Sequence, residues 1–195
     1  MLYRIKYYCG NVNGYCRFTF IVIQYGTQGS IAVCCAIFKH SIQEAIKLDR
    51  TIDLSRFTKA HQWDYASALQ EIKNGRKQTH WMWYIFPQIH GLGRSSTAAR
   101  YAIRSIEEAV AFLQDPYLGN HLTEISLTLL TLTTNDPFEV FGYPDHLKLR
   151  SCMTLFALIS EKNSVFEQVL QRYFNGAYDQ RTLNILHWNS SGNGS

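Results

Sequence analysis

The chain has 195 residues, of which 46% are hydrophobic, 14% aromatic and only 17% charged; that is enough for one ordinary domain with a real core, and it excludes a disordered chain. The formal charge of +4 is confined to the N-terminal quarter: residues 1–50 carry six Lys/Arg against two Asp/Glu, whereas residues 51–195 carry thirteen of each. The main body therefore lacks the basic stripe that phosphate-backbone binding needs, and no nucleic-acid partner is expected.

Residues 1–50 read as an N-terminal extension. Two apolar runs, Phe18 to Tyr25 and Ile31 to Phe38, are separated by Gly26, Gln28 and Gly29. Neither approaches the ~18 residues of a membrane span, so no membrane partner is expected. A signal peptide would place one apolar region directly after a basic start, which is not the pattern here. Two readings stay open: a short hairpin, because β-branched and aromatic residues dominate both runs, or an upstream extension without fixed structure. Four of the five cysteines (Cys9, Cys16, Cys34, Cys35) lie in this part, and Cys152 stands alone later. No pair has C-x-x-C spacing and the total is odd, so neither a zinc site nor a complete disulfide framework is indicated. The expectation is a cytoplasmic protein with no metal and no cofactor.

From residue 51 to 188 the signals are helical. Leu54, Phe57, His61, Tyr65, Ala68, Leu69 and Ile72 recur at three- and four-residue steps, and Asn74-Gly75 ends the pattern as a helix C-cap does. Further on, Ser95 or Ser96 can cap a helix over Thr97 to Ile103, and Ser105-Ile-Glu-Glu108 and Ser164-Val-Phe-Glu167 are capping boxes. Pro116 opens a helix carried by Leu118, Leu122, Ile125, Leu129 and Leu132; Asp136-Pro137 marks another start. Pro144 to Ile159 and Arg181 to Trp188, capped by Asp179, complete the set. Gly75, Gly91 with Gly93, Gly119, Gly142 and Gly176 supply the turns between segments. The expected fold class is all-α: one compact domain of seven or eight short helices, with residues 189–195 as a disordered tail.

Two polar blocks interrupt this pattern. In the first, Arg76 and Lys77 follow a helix end, where cations meet the terminal carbonyls favourably. Trp81, Met82, Trp83, Tyr84, Ile85 and Phe86 then form six consecutive bulky residues, which one face of a helix cannot hide. Pro87 stops the run, and Gln88-Ile-His-Gly91-Leu-Gly93-Arg94-Ser95 leads into the next helix. Such a loop presents free backbone N–H groups, a generic anion site, with Arg94 adding a full charge. The dinucleotide fingerprint, the phosphate-binding loop, the G-x-S-x-G elbow and the H-E-x-x-H motif are all absent. In the second block, Asp145, Lys148 and Ser151 lie at i, i+3 and i+6, a drifting polar stripe whose bland reading is a solvated face.

The blocks GRKQTHWMWYIFPQIHGLGRSS and FGYPDHLKLRSCMTLF, in that order, closely resemble the two signature blocks of a bacterial protein family catalogued as domain of unknown function 1810. The resemblance runs from about Leu54 through Leu186 and leaves residues 1–50 outside. It implies a compact, mainly helical domain but no reaction. The name calpastatin, sometimes attached to such proteins, fits poorly, because calpastatin-type inhibitors are disordered and poor in aromatic residues. The resemblance marks Gly75, Lys77, His80, Trp81, Trp83, Pro87, Gln88, Gly91, Gly93, Ser95, Asp145, Lys148 and Ser151 as motif positions. His61 stands where the pattern usually has Gln, and Cys152 where it usually has Ser.

Three functions compete. In the first, Lys77, Arg94 and Ser95 hold a phosphate or carboxylate of a small anionic, nucleotide-like ligand. Trp81 or Trp83 stacks on a flat group, and Gln88, Gly91, Gly93, Lys148 and Ser151 complete the binding set, with His80 and Asp145 as candidates for proton transfer. In the second, residues 81–86 bind a protein partner. In the third, both blocks are scaffold, a polar knot in which Asp145, Lys148, His80 and Gln88 satisfy one another and hold the helices in register.

Overall fold

The computed structural model describes residues 52–187 together with Asn11–Val12 and Tyr15–Cys16. The chain divides into two units, residues 1–45 and 46–195. Of the first, the described part is an antiparallel pairing of β1 (Asn11–Val12) with β2 (Tyr15–Cys16), in which Asn11 faces Cys16. The two apolar runs at 18–25 and 31–38 and the expected tail at 189–195 lie outside the described residues.

The second unit is all-α, with nine helices among the described residues; the one that no start signal marks is the four-residue helix Met82–Ile85 inside the aromatic run. The nine are α1 (Ser55–Lys73), α2 (Met82–Ile85), α3 (Ser96–Arg100), α4 (Ile106–Gln114), α5 (Leu118–Thr131), α6 (Pro137–Phe141), α7 (Asp145–Leu158), α8 (Val165–Phe174) and α9 (Gln180–Ile185). None is long and apolar enough to cross a membrane. Every start carried by a capping residue forms as written. Ser95, Ser105, Asp136, Ser164 and Asp179 accept hydrogen bonds from Ala98, Glu108, Phe138, Glu167 and Thr182 N–H respectively. Each satisfies a backbone donor that the first helical turn leaves free.

Helix α7 forms the centre. Its residues Leu149 and Ser151 to Ala157 are buried, so it is enclosed nearly all round, and α8, α6, α9 and α4 pack against it while α5 bridges α1 and α8. The largest buried rings meet at Phe112, which packs edge-on to Phe57 at 5.0 Å and tilted against Phe156 at 5.6 Å.

Local differences from the sequence reading have identifiable causes. Helix α5 begins at Leu118 and not at Pro116, because the Asp115 carboxylate accepts from both Tyr117 and Leu118 N–H at 2.9 Å. Gly119 is no turn residue: it lies buried in the first turn of α5, where a Cβ would come within 2.0 Å of the Leu113 carbonyl oxygen. Helix α3 stops at Arg100, since Ile103 instead pairs in parallel with Ile89, donating its N–H to Gln88 O and accepting from His90 N–H, each at 2.8 Å. Leu147 is 46% exposed and does not join the core.

Truncating Phe112 to Ala removes the ring shared by α1, α4 and α7. We expect a loss of about 3–5 kcal/mol in urea unfolding, the cost of a large buried aromatic plus its cavity.

Candidate functional site

The first polar block is folded by one carboxylate. At the end of α1, Gly75 N–H donates to Ile72 O and Arg76 N–H to Glu71 O, which turns the chain back. Lys77 N–H then donates to Val140 O at 2.7 Å and fastens the turn to α6. Glu71, buried in the last turn of α1, accepts four hydrogen bonds: from Gln78 N–H (2.7 Å), Thr79 N–H (3.1 Å), the Thr79 hydroxyl (2.6 Å) and the Trp81 indole N–H (2.8 Å). Burial raises its pKa, but these donors outweigh burial and hold the carboxyl below its ordinary value.

The indole bond buries Trp81, which is 1% exposed. Met82, Tyr84, Ile85 and Phe86 are buried as well, leaving Trp83 as the half-buried member of the run. The six bulky residues thus solve their packing problem by entering the core almost completely, and they offer no exposed aromatic stripe for a partner.

The second block arrives through Asp145, the first residue of α7. Its Oδ2 lies 2.7 Å from Lys77 Nζ and its Oδ1 2.7 Å from Lys148 Nζ. Lys77 also donates to Thr79 O at 2.6 Å and stands 5.3 Å from the Trp81 ring, while Lys148 sits 4.6 Å over the Trp83 ring. The side chains of the triad are only 9–20% exposed, so the solvated face expected for Asp145 and Lys148 is in fact a partly buried link between the two blocks. Burial pushes the Asp145 carboxyl up, and the two lysines more than reverse this, keeping it ionised.

The remaining candidates separate. The His80 ring is exposed and enters no hydrogen bond among the described residues; its carbonyl accepts from the Tyr84 hydroxyl at 3.1 Å. Gln88, Gly91 and Gly93 line a cleft with Trp83 whose interior of about 10 Å³ admits roughly one water molecule. Gly93 is required there, because a Cβ would stand 2.4 Å from that of Ala98. Arg94 is exposed, and the Ser95 oxygen is occupied in capping α3. Ser151 is buried, 2.9 Å from Asp179 Oδ2, which also accepts from the Thr182 N–H and hydroxyl. Its contacts therefore serve the start of α9.

Beside the triad lies an open groove of about 570 Å³ lined by Arg76, Lys77 and residues 138–142. The Phe138 ring is 55% exposed, and the Arg76 side chain makes no hydrogen bond or ion pair among the described residues. In the sequence Arg76 reads only as a cation at a helix end, because Phe138 lies more than sixty residues further along the chain. Glu71 stands outside both sequence blocks, although an acid in the last turn of a helix opposes the dipole and so signals donors nearby.

Glu71→Gln takes the anionic acceptor away from all four donors and leaves one neutral amide oxygen to share among them, and we expect a loss of roughly 2 kcal/mol in chemical unfolding at pH 7. Because the folded Glu71 pKa lies below 4.5, its contribution is complete above that pH and is lost as the pH falls through the folded value. The difference between wild type and variant should therefore shrink in the same measurement at pH 3.5.

A crystal structure of the conserved hypothetical protein Rv1873 from Mycobacterium tuberculosis is 44% identical, with a TM-score of 0.68 over 70% of this chain and 98% of that one. Among curated proteins none matches. The family profile described as "Protein of unknown function (DUF1810)" matches residues 51–186, the span that holds α1 to α9, both polar blocks and the groove. The chain belongs to that family.

Proposed function

We propose that the chain binds a small anionic molecule carrying a flat apolar group, seated in the groove between α6 and the turn that follows α1. The observation that carries this reading is the Arg76 guanidinium, without a partner among the described residues, which lines a groove of about 570 Å³ with the exposed Phe138 ring. That volume falls in the range of small-molecule sites, and a planar guanidinium suits the bidentate recognition of a carboxylate or phosphate. The local charge agrees with an anion: Arg76, Lys77 and Lys148 stand against Asp145 and the rim residue Glu139, and the latter already accepts from the Thr134 hydroxyl at 2.6 Å. The flat surface on this reading is Phe138, because the Trp81 indole is buried and the cleft at Trp83 is too small for a ring.

Binding is favoured over turnover. Both Asp145 oxygens are engaged by lysines, which suits a fixed charge better than a proton carrier, and His80 is held by no second group that would orient it. A scaffold role for the same residues draws support from the completeness of the Glu71 and Asp145 contacts, and the two roles are compatible.

The test is a thermal-shift and calorimetric screen with inorganic phosphate, phenyl phosphate, benzoate and nucleoside monophosphates. We expect a concentration-dependent rise in Tm with an aryl anion, and binding weaker by about ten- to a hundredfold in Arg76→Ala without change in the unliganded Tm, since one charged hydrogen-bonding partner is worth about 1.5–3 kcal/mol. If no member of the panel binds, or if binding survives Arg76→Ala unchanged, the ligand reading fails. A fall in unliganded Tm for Asp145→Asn in the same screen would then leave the scaffold role alone.

A further inference from the structure

Where α1 meets α5, two histidines meet nitrogen to nitrogen. His61 is buried, 1% exposed, with Nε2 2.8 Å from Tyr84 O and Nδ1 3.1 Å from Nδ1 of the half-buried His121 on α5. The two ring planes differ by 2° and their centroids are 5.4 Å apart. Parallel rings at that separation with nitrogens at 3.1 Å lie edge to edge in a common plane, the geometry of an in-line N–H···N hydrogen bond. Tyr65 covers the face of His121 at 3.5 Å and 1°, and its hydroxyl, a single donor, stands 2.7 Å from Glu124 Oε2 and 3.0 Å from His121 O.

This geometry decides where the protons are. A carbonyl oxygen only accepts, so His61 Nε2 carries a hydrogen; in the neutral ring Nδ1 then holds the lone pair. The shared bond therefore needs its hydrogen on His121 Nδ1, which leaves His121 Nε2 as a lone pair with no hydrogen-bond partner among the described residues.

We propose that His61 and His121 form a coupled proton-binding site with room for one proton, taken up at His121 Nε2, and that a second proton breaks the contact and loosens α5 from α1. The first proton leaves the N–H···N bond in place and makes it charge-assisted. A second, on His61 Nδ1, sets two N–H groups against each other at 3.1 Å beside the Phe112 ring. The groups facing the pair are Tyr65 from α1, Tyr84 from α2, Asp115 just ahead of α5, and Tyr117 and Glu124 from α5. Asp115 favours the cation on His61 and Glu124 the cation on His121, while burial opposes both. On His61 burial prevails by far and pushes it down to about 4, which orders the two steps in the same way as the geometry. For His61 the sign follows directly: an unfolded chain takes its proton near pH 6.5, the folded chain only near 4, so folding stability falls as the pH drops across that window.

The decisive measurement is long-range ¹H–¹⁵N correlation on the full chain labelled at histidine, followed from pH 8 to pH 4. At pH 8 the expected pattern is Nε2–H on His61 and the less common Nδ1–H on His121. On acidification His121 Nε2 should titrate first, with His61 Nδ1 staying unprotonated until the tertiary shifts of α5 are lost. Nε2–H tautomers on both rings at pH 8, or protonation of His61 before or together with His121, would overturn the proposal. His61→Gln supplies a second reading, since its amide can still donate to Tyr84 O. It should lower the acid-unfolding midpoint by about 1 pH unit, and an unchanged midpoint also counts against the pair.

Discussion

The arrangement of both polar blocks depends on a carboxylate shared between two ammonium groups. Asp145 begins α7, Lys77 ends the turn after α1, and Lys148 stands one helical turn into α7; each lysine lies 2.7 Å from its own Asp145 oxygen. A lone charge in a site this enclosed would be costly, and one lysine paired with one aspartate would gain little beyond the desolvation of both. Sharing changes the balance, because each carboxylate oxygen is matched and the excess positive charge rests on indole faces. Lys148 sits over Trp83 and Lys77 near Trp81. The two blocks, nearly seventy residues apart in the chain, are held in register by this contact and by the Lys77 N–H to Val140 O bond beside it.

The same sharing shapes the neighbouring surface. Of the two cations that line the groove, Lys77 is paired with Asp145, and Arg76 is exposed with no ion pair among the described residues. A guanidinium remains charged at any physiological pH and is less strongly hydrated than an ammonium, which is why the ligand we propose for this groove is a planar anion and not a spherical one.

Much of the fold was legible because its information is local. Side-chain caps at Ser95, Ser105, Asp136, Ser164 and Asp179 mark helix starts within a few residues, and the periodicity of α1 and α5 follows from one-sided burial. The site was less legible because its contacts are distant. Lys77 looked like a cation at a helix end and Asp145 like the start of a solvated stripe, and neither position reveals the other. Ser151 reads as part of that stripe, yet its partner Asp179 lies 28 residues on. Trp81 and Trp83, identical in type and two residues apart, differ in burial because the Glu71 carboxylate draws only the first indole inward.

Helix α2 shows why a short element can still be rigid. Four residues are far too few for a helix to persist on its own hydrogen bonds. Here α1 supplies the missing constraint through polar side chains that all reach the same segment. Glu71 accepts from the Trp81 indole, His61 donates to Tyr84 O, and Asp64 accepts from the Tyr84 hydroxyl at 2.6 Å. These positions recur along the face of α1 that also carries Phe57, Ala68 and Ile72 into the core, so the face that drives burial also carries the groups that satisfy the buried aromatic turn. The orientation of Trp83, and with it the support beneath Lys148, is therefore set by α1 and not by the propensity of the aromatic run itself.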